Sequence, residues 1–275
     1  MSAVEYVGAS GATAGLGMRA VTCECGEWRD LSSEFDVSNG RLFATSFKPF
    51  ERELAIVADC PSEAEASGLI ERMMRVLRAD AESCVPGRLF WGEWYARCVL
   101  KGYGFEGAWA GRSGFRATLT FLVTDPLWTR ERTWAFGASD AAKALGYPHG
   151  YPHGYGSASP VERIECDSIR PCDVRIEVRG PCDAPGVSIG GNSYRSSAYV
   201  PEGARLLIDT REKRCAIETA DGLSVDALPT TPDAPPGSGS YAFEAVPPGS
   251  SLLAWDRSFG LSVTVFETKA VRPWT

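Results

Sequence analysis

Residues 115–128 read FRATLTFLVTDPLW, and this stretch decides the fold class. From Phe115 to Phe121 its apolar residues recur at every second position, with arginine and threonine between them. A period of two is typical of a strand with one buried face and one solvated face. Proline cannot donate to a neighbouring strand, so we expect this strand to end at Asp125-Pro126. The apolar face consists of Phe115, Ala117, Leu119, Phe121 and Val123.

Upstream of this strand, one segment has helical periodicity. Ser62 is a suitable N-cap, and Glu65 three residues later completes a capping box. Glu71 and Arg75 have the four-residue spacing of a helical ion pair. The segment therefore predicts one amphipathic helix that packs its apolar stripe against a sheet. The stripe consists of Ala66, Leu69, Ile70, Met73, Met74 and Leu77.

Downstream, residues 146–156 read GYPHGYPHGYG, a tandem YPHG repeat that predicts an extended or turning connector. Beyond it, residues 174–178, 205–209 and 261–265 read as strands separated by glycine and proline clusters, the pattern of a β-sandwich. We therefore predict a mainly β protein with a β-rich N-terminal domain over residues 1–136 and a C-terminal sandwich over 161–275. An aromatic-proline linker over 137–160 joins them.

The composition narrows the possible functions. The chain has 275 residues, 44% of them hydrophobic, which excludes wholesale disorder. Its apolar runs are short and its first residues lack a secretory pattern, so we expect no membrane insertion and no export signal. The formal charge of −7 argues against tight binding of nucleic acid, although DNA can slide past an acidic surface without sticking.

Two further features of the composition carry structural expectations. Residues 1–17 are rich in glycine, alanine and serine and predict a flexible arm or a long loop. The nine cysteines are an odd number, so a fully paired disulfide framework within one chain is excluded. Reduced thiols packed as small apolar groups are the favoured interpretation, and the spacing of Cys166, Cys172 and Cys182 gives little support to a zinc site.

The sequence contains no strong catalytic motif. Residues 102–107 fit the spacing G-x-G-x-x-G, but a strand follows where a dinucleotide site needs a helix, so a β-turn loop is favoured. The two histidines, His149 and His153, both lie in the YPHG repeat, a poor support for a nucleophile and its base. No carboxylate pair stands out as glycosidase machinery. We predict no catalytic residue, no cofactor and no metal.

The eight tryptophans mostly fall in or beside predicted strands, where core packing is the default interpretation. An exposed tryptophan would instead indicate a protein interface or a surface that stacks on sugar rings. Trp255 is the candidate for sugar stacking, although burial in a strand is the favoured interpretation of this residue.

The order of these parts resembles the distal tail proteins of long-tailed, non-contractile (siphovirus-type) bacteriophages. The resemblance covers nearly the whole chain and rests on loose motifs in a specific order. These are the helix, the strand that ends at Asp125-Pro126-Leu-Trp128, the YPHG connector, Leu206-Leu-Ile-Asp209, the segment from Val246-Pro-Pro-Gly249 to Trp255, and Arg272-Pro-Trp274.

The resemblance implies a structural, non-enzymatic virion protein at the tail tip. Such proteins form a homo-hexameric ring at the end of the tail tube, and their N-terminal domains line a channel for DNA. Their galectin-like C-terminal sandwiches hold receptor-binding or other baseplate parts. The implied partners are further copies of the chain, the tail tube protein, a tail-tip protein and a receptor-binding protein. In this family the final strand can return to the N-terminal domain, which leaves the assignment of residues 263–275 open.

Reasoning from the residues agrees with this role and leaves alternatives. Strand edges and a glycine-rich arm suit a ring closed by one repeated interface. We expect an excess of aspartate and glutamate on the channel side of the first half. The first alternative is a carbohydrate-binding sandwich module, and the second is a glycoside hydrolase.

Overall fold

The computed structural model describes residues 4–16, 21–24, 34–38, 41–46, 48–106, 113–138 and 161–271. The chain divides into two compact units, which are treated separately below. Unit 1 contains the residues up to Arg130 and those from Lys269 onward, and unit 2 contains Glu131–Thr268. The protein is mainly β, as predicted. Of the predicted linker, residues 139–160 lie outside the described residues.

Unit 1 is built around one antiparallel sheet. Its strands are β1 (Val4–Val7), β2 (Thr13–Gly15), β3 (Val21–Glu24), β4 (Glu34–Ser38), β5 (Arg41–Ser46), β6 (Phe50–Cys60), β7 (Gly87–Trp91), β8 (Trp94–Glu106) and β9 (Ser113–Phe136), the last of which continues into unit 2. The sheet order is β3-β6-β9-β8-β7-β1-β2, while β4 and β5 pair only with each other among the described strands.

The predicted helix is confirmed as α1 (Glu63–Ser83), which packs on the sheet of unit 1. The hydroxyl oxygen of Ser62 accepts a hydrogen bond from the N–H of Glu65 at 3.3 Å, and Glu71 pairs with Arg75 at 3.2 Å. The helix ends at Cys84, whose φ of 56° is left-handed. On the stripe, Met73, Met74 and Leu77 are buried, and Ala66, Leu69 and Ile70 pack against the same core.

The strand over residues 115–124 is confirmed, since all five residues of its apolar face are buried, but its predicted end is wrong. β9 continues through Pro126 to Phe136. The register with β8 explains this: Arg97 faces Asp125 and Tyr95 faces Thr129, so β9 has two more residues than β8 between these pairs. Pro126 therefore falls in a bulge, where its missing N–H removes no regular ladder bond.

The expectation of a flexible N-terminal arm is wrong for residues 4–16. They form the β1–β2 hairpin, with Val4, Tyr6, Ala14 and Leu16 buried in the core of unit 1. The expected turn at residues 102–107 is also wrong in part, because residues 102–106 continue β8 and pair with β9.

Unit 2 consists of two main sheets and one smaller pair. Its further strands are β10 (Glu162–Cys166), β11 (Asp173–Arg179), β12 (Cys182–Asp183), β13 (Gly186–Ile189), β14 (Asn192–Arg195), β15 (Tyr199–Val200), β16 (Arg205–Asp209), β17 (Arg214–Glu218), β18 (Ser224–Asp226), β19 (Gly249–Ala254) and β20 (Gly260–Lys269), with a 3₁₀ turn over Leu228–Thr230. One sheet has the order β18-β17-β16-β11-β20-β9 and the other β10-β19-β13-β14, while β12 pairs with β15.

The two main sheets of unit 2 enclose one apolar core, which makes this unit a β-sandwich. The predicted inward faces are confirmed, since Val174, Ile176 and Val178 of β11 are buried with residues of β16 and β20. They pack in the same cluster as Ile164, Ile189 and other residues of the second sheet. The galectin-like relation of this sandwich stays a prediction.

The expectation that all cysteines are reduced is wrong for one pair. Cys166 and Cys172 form a disulfide, while Cys60, Cys84, Cys98, Cys182 and Cys215 are free thiols. The two partners are brought together because β10 ends at Cys166 and Cys172 bonds through its backbone to Val246. In the part of the chain that is described, no helix has the length and hydropathy to cross a bilayer.

Candidate assembly surfaces

A buried hydrogen-bond cluster fixes the β1–β2 hairpin to α1. The hydroxyl of Tyr6 donates to Oδ2 of Asp80 at 2.7 Å and also lies 3.3 Å from the carbonyl oxygen of Cys98. The backbone N–H of Ala9 reaches both carboxylate oxygens of Asp80, at 3.0 and 3.1 Å. Asp80 itself is only 3% exposed. We call Tyr6, Ala9 and Asp80 the hairpin clamp.

The hairpin clamp is tightly packed and positions the N-terminal residues. A Cβ atom on Gly87 would lie 2.5 Å from Oδ2 of Asp80, so only glycine fits there. Burial, and next the hydrogen bond to Asp80, raise the pKa of Tyr6 above its ordinary value. The phenol therefore keeps its proton and remains a donor. The clamp thus holds residues 4–16 on the sheet.

The β4–β5 hairpin presents exposed apolar side chains. Val37 and Leu42 face each other across the two strands and are 62% and 67% exposed. A two-stranded hairpin alone is at best marginally stable in water, and its apolar groups gain only when something covers them. Within the described residues, no other strand pairs with this hairpin. It is therefore suited to association with another molecule.

A second exposed apolar group lies at the end of β8. Tyr103 is 49% exposed, and its ring meets that of Phe105 edge-on with centroids 5.5 Å apart. Phe105 in turn contacts Phe115 of β9 at 5.8 Å, also edge-on. Aromatic side chains are enriched at protein interfaces because they combine a large apolar area with few rotatable bonds. Tyr103 and Phe105 are therefore a second candidate contact on unit 1.

On unit 2, the outward face of β11, β16 and β17 carries a network of ion pairs. Arg205 reaches Glu177 at 3.3 Å and Glu218 at 2.8 Å, and Arg214 reaches Glu218 at 2.7 Å. The hydrogen bond from Arg205 is the main cause that lowers the pKa of Glu218, and the same bond raises the pKa of Arg205. Because these groups are partly exposed, each pair contributes little to stability. The network instead gives this face a polar, patterned surface.

The buried carboxylates of unit 2 are held as structural acceptors. Asp209 accepts from Nε of Arg175 at 2.8 Å and from the N–H of Arg211 at 2.9 Å. Glu267 accepts from the N–H of Asp167 at 3.0 Å. Carboxylates with their oxygens engaged in this way fix loops and strands.

Of the cysteines weighed for a zinc site, Cys166 and Cys172 lie together as the two halves of a disulfide, whose sulfurs are not free to bind zinc. Among the described residues, no three or more histidine, cysteine, aspartate or glutamate side chains are grouped closely enough to hold a metal ion. His149 and His153, the only histidines of the sequence, lie outside the described residues.

Trp255, the candidate for sugar stacking, is 7% exposed and belongs to the core of unit 2. Its indole N–H donates to the carbonyl oxygen of Phe259 at 3.3 Å, and its ring lies 5.2 Å from that of Phe136. The guanidinium of Arg257 lies over the ring at 5.1 Å. This placement favours the packing role, and sugar stacking by Trp255 stays a prediction.

The β4–β5 hairpin was not predicted, although the sequence contains a signal for it. Asn39-Gly40 separates the last residue of β4 from the first residue of β5, and this dipeptide is a strong indicator of a tight hairpin. The exposure of Val37 and Leu42 follows from their tertiary surroundings, which no local pattern reveals.

Comparison with solved structures shows which known proteins share the fold of this chain. No protein family matches the sequence, and no curated protein matches it. Two structures of the phage P2 baseplate in its activated conformation, with calcium and with strontium, contain similar chains at 11% and 12% identity and TM-scores of 0.62 and 0.64. The SPP1 Dit protein, described as a paradigm of the hub adsorption apparatus in phages that infect Gram-positive bacteria, is similar at 11% identity and a TM-score of 0.55.

Each similarity covers 98% of this chain and 99% of the other chain. The fold is therefore that of these baseplate and Dit chains, and the likeness extends over both units. At this level of identity, the comparison establishes the fold.

Proposed function

We propose that this chain is a structural subunit of a phage tail tip, a hub between the tail tube and the tail-tip and receptor-binding components. The observation that carries the proposal is the full-length match in fold to baseplate and Dit chains. A match over the whole length of both chains supports a shared architecture of two units rather than one common sandwich module.

In this proposal, the N-terminal domain predicted over residues 1–136 closes a homo-hexameric ring. A ring repeats one heterologous interface, so each copy must expose a surface that a neighbour covers. The β4–β5 hairpin and the aromatic pair Tyr103 and Phe105 supply exposed apolar groups for that purpose. The C-terminal domain, predicted over residues 161–275, holds the other baseplate components.

The same proposal assigns DNA a passing role. The net charge of −7 gives the ring an acidic character, and an acidic lumen would repel the phosphate backbone and keep DNA moving. A lumen with a positive surface potential in the assembled ring would contradict this part of the proposal.

The proposed role is non-enzymatic and located in the virion. The buried carboxylates Asp80, Asp209 and Glu267 accept hydrogen bonds that hold the fold, which leaves them poorly suited to acid–base catalysis. The carbohydrate-binding alternative has no comparable support, since Trp255 is buried.

The test of the ring is the mass of the particle. At micromolar concentration, light scattering after gel filtration should give close to six copies, and negative-stain electron microscopy should show rings. The double variant Val37→Glu, Leu42→Glu should be folded and shift to smaller species, because it places charge on the surface that a neighbour would cover. Ile169→Glu, a similarly exposed residue of unit 2, is the matched control and should leave the mass unchanged.

A wild-type protein that remains monomeric both alone and with its tail tube protein would contradict the proposed ring. A ring that forms equally well in the double variant would contradict only the place of the β4–β5 hairpin in the interface.

A further inference from the structure

The sheet of unit 2 ends at β18, whose outer edge pairs with no other described strand. β18 pairs with β17 and is the last strand in the order β18-β17-β16-β11-β20. The N–H of Thr219 bonds the carbonyl of Leu223, and the N–H of Ala227 bonds the carbonyl of Cys215. Antiparallel ladders use alternate residues, so Val225 directs its backbone groups to β17. Ser224 and Asp226 direct theirs outward.

Apolar side chains flank this edge. Leu223 is 58% exposed and Val225 51% exposed, while Leu228 is also exposed just after the strand. Val225 lies opposite Ile217, which packs against the core of unit 2. A strand added beside β18 would therefore extend the apolar face of the sheet and remove Val225 from water.

The opposite face of the same edge is a cleft with an excess of arginine. Its volume is about 620 Å³, and its charged lining consists of Arg179, Arg205, Arg214 and Glu218. Arg214 donates to Oγ of Ser224 at 2.9 Å, so the side chain of Ser224 faces the cleft. Arg179 is exposed and forms no ion pair with a described residue. Arg205 and Arg214 are paired with Glu177 and Glu218, so the excess positive charge at this cleft is that of Arg179 on β11.

We propose that the β18 edge binds an extended, acidic segment of a partner protein by strand addition. Backbone groups of Ser224 and Asp226 would bond the added strand, as in other cases of strand addition at a sheet edge. Successive side chains of a strand point to opposite faces, so the segment needs acidic residues on the face of the cleft and apolar residues on the face of Val225. The proposal names the kind of partner that unit 2 binds. It rests on the proposed hub role only in taking that partner to be another component of the tail tip.

The test uses a synthetic peptide of sequence EVEVEVE, labelled with fluorescein, and the full-length protein. Fluorescence anisotropy should show saturable binding of this peptide and none of KVKVKVK, and affinity should fall as salt rises. Ser224→Pro removes one outward N–H, and proline is tolerated at an edge. It should weaken binding about tenfold or more. Ser224→Ala is its matched control, because it loses the contact with Arg214 but keeps the N–H.

A second pair of variants keeps the test decisive if Ser224→Pro fails to fold. Arg179→Glu reverses the unpaired charge in the cleft and should weaken peptide binding about fivefold or more. Arg170→Glu makes the same change in charge at another exposed site of unit 2 and should leave binding unchanged.

Three outcomes would overturn the inference. The first is equal binding of EVEVEVE and KVKVKVK, and the second is peptide binding that Ser224→Pro and Arg179→Glu leave unaltered. The third is self-association that Ser224→Pro abolishes while the peptide does not bind, which would make a second copy of the chain the occupant of the edge. The mass of the ring is measured independently on Val37→Glu, Leu42→Glu, so failure here is separate from failure of the hub proposal.

Discussion

Tyr6→Phe isolates the contribution of the hairpin clamp. The substitution keeps the ring, which lies 5.9 Å from Phe121 between centroids, and removes only the hydroxyl. No cavity forms, so the loss is that of the 2.7 Å hydrogen bond to Asp80. A buried hydrogen bond to a carboxylate contributes about 1.5–3 kcal/mol, and its loss leaves Oδ2 of Asp80 with only the 3.1 Å contact to the N–H of Ala9. We expect the free energy of unfolding of unit 1 to fall by about 2 kcal/mol.

The assay combines urea denaturation with hydrogen exchange of residues 4–16. Exchange at these amides should quicken in Tyr6→Phe, because the hairpin then opens from α1 more easily. Tyr103→Phe removes an exposed hydroxyl and is the control, with an expected change below about 0.5 kcal/mol. If Tyr6→Phe also changed stability by less than that and left exchange unaltered, the assignment of the clamp would be wrong.

Gly87→Ala should destabilise unit 1 by at least about 2 kcal/mol in urea melts, because the new methyl group meets Asp80, whereas Gly102→Ala has open space and should be nearly neutral. Ser62→Ala removes the N-cap of α1 and should lower the melting temperature through a loss of about 1 kcal/mol. Burial raises the pKa of the Cys215 thiol to about 11 in the folded protein. The folded state therefore favours the neutral thiol, and this contribution to stability is complete at a pH below the pKa of the thiol in the unfolded chain. It is lost as the pH rises from that value towards the pKa of the folded protein. Urea melts at pH 8 and pH 10.5 should therefore show a smaller alkaline loss in Cys215→Ala, by about 1–2 kcal/mol; an equal loss would contradict the assignment.

Periodic patterns predicted the helices and strands whose signals lie within a single segment of the sequence. The capping box at Ser62 and the apolar stripe that follows it are complete within one helix, and the alternation over residues 115–123 is complete within one strand. Both were therefore visible in the sequence and agree with the structure. The alternating strands of unit 2 were predicted for the same reason.

Elements that depend on distant partners were missed. The glycine-rich N-terminus has the composition of a flexible arm, but Tyr6 finds Asp80 at a separation of 74 residues, and this contact orders the hairpin. Pro126 predicts the end of a strand, yet the shift in register against β8 accommodates it. Local composition contains neither fact.

The candidate surfaces were less predictable than the fold. Core packing was the favoured interpretation of Trp255, the one sugar-stacking candidate, and this residue is buried, while the exposed apolar groups are ordinary residues such as Val37 and Leu42. Whether a side chain is exposed depends on which other parts of the chain pack over it. This is known only once the sheets are assembled.

The Cys166–Cys172 disulfide makes the stability of unit 2 depend on the redox state of its surroundings. The bond closes a short loop with a sequence separation of 6, for which the chain-entropy relation gives about 2 kcal/mol. A thiol-rich medium such as a cytosol removes that contribution, and an oxidising medium outside a cell restores it. Unit 2 is therefore more stable in an oxidising medium than in a reducing one.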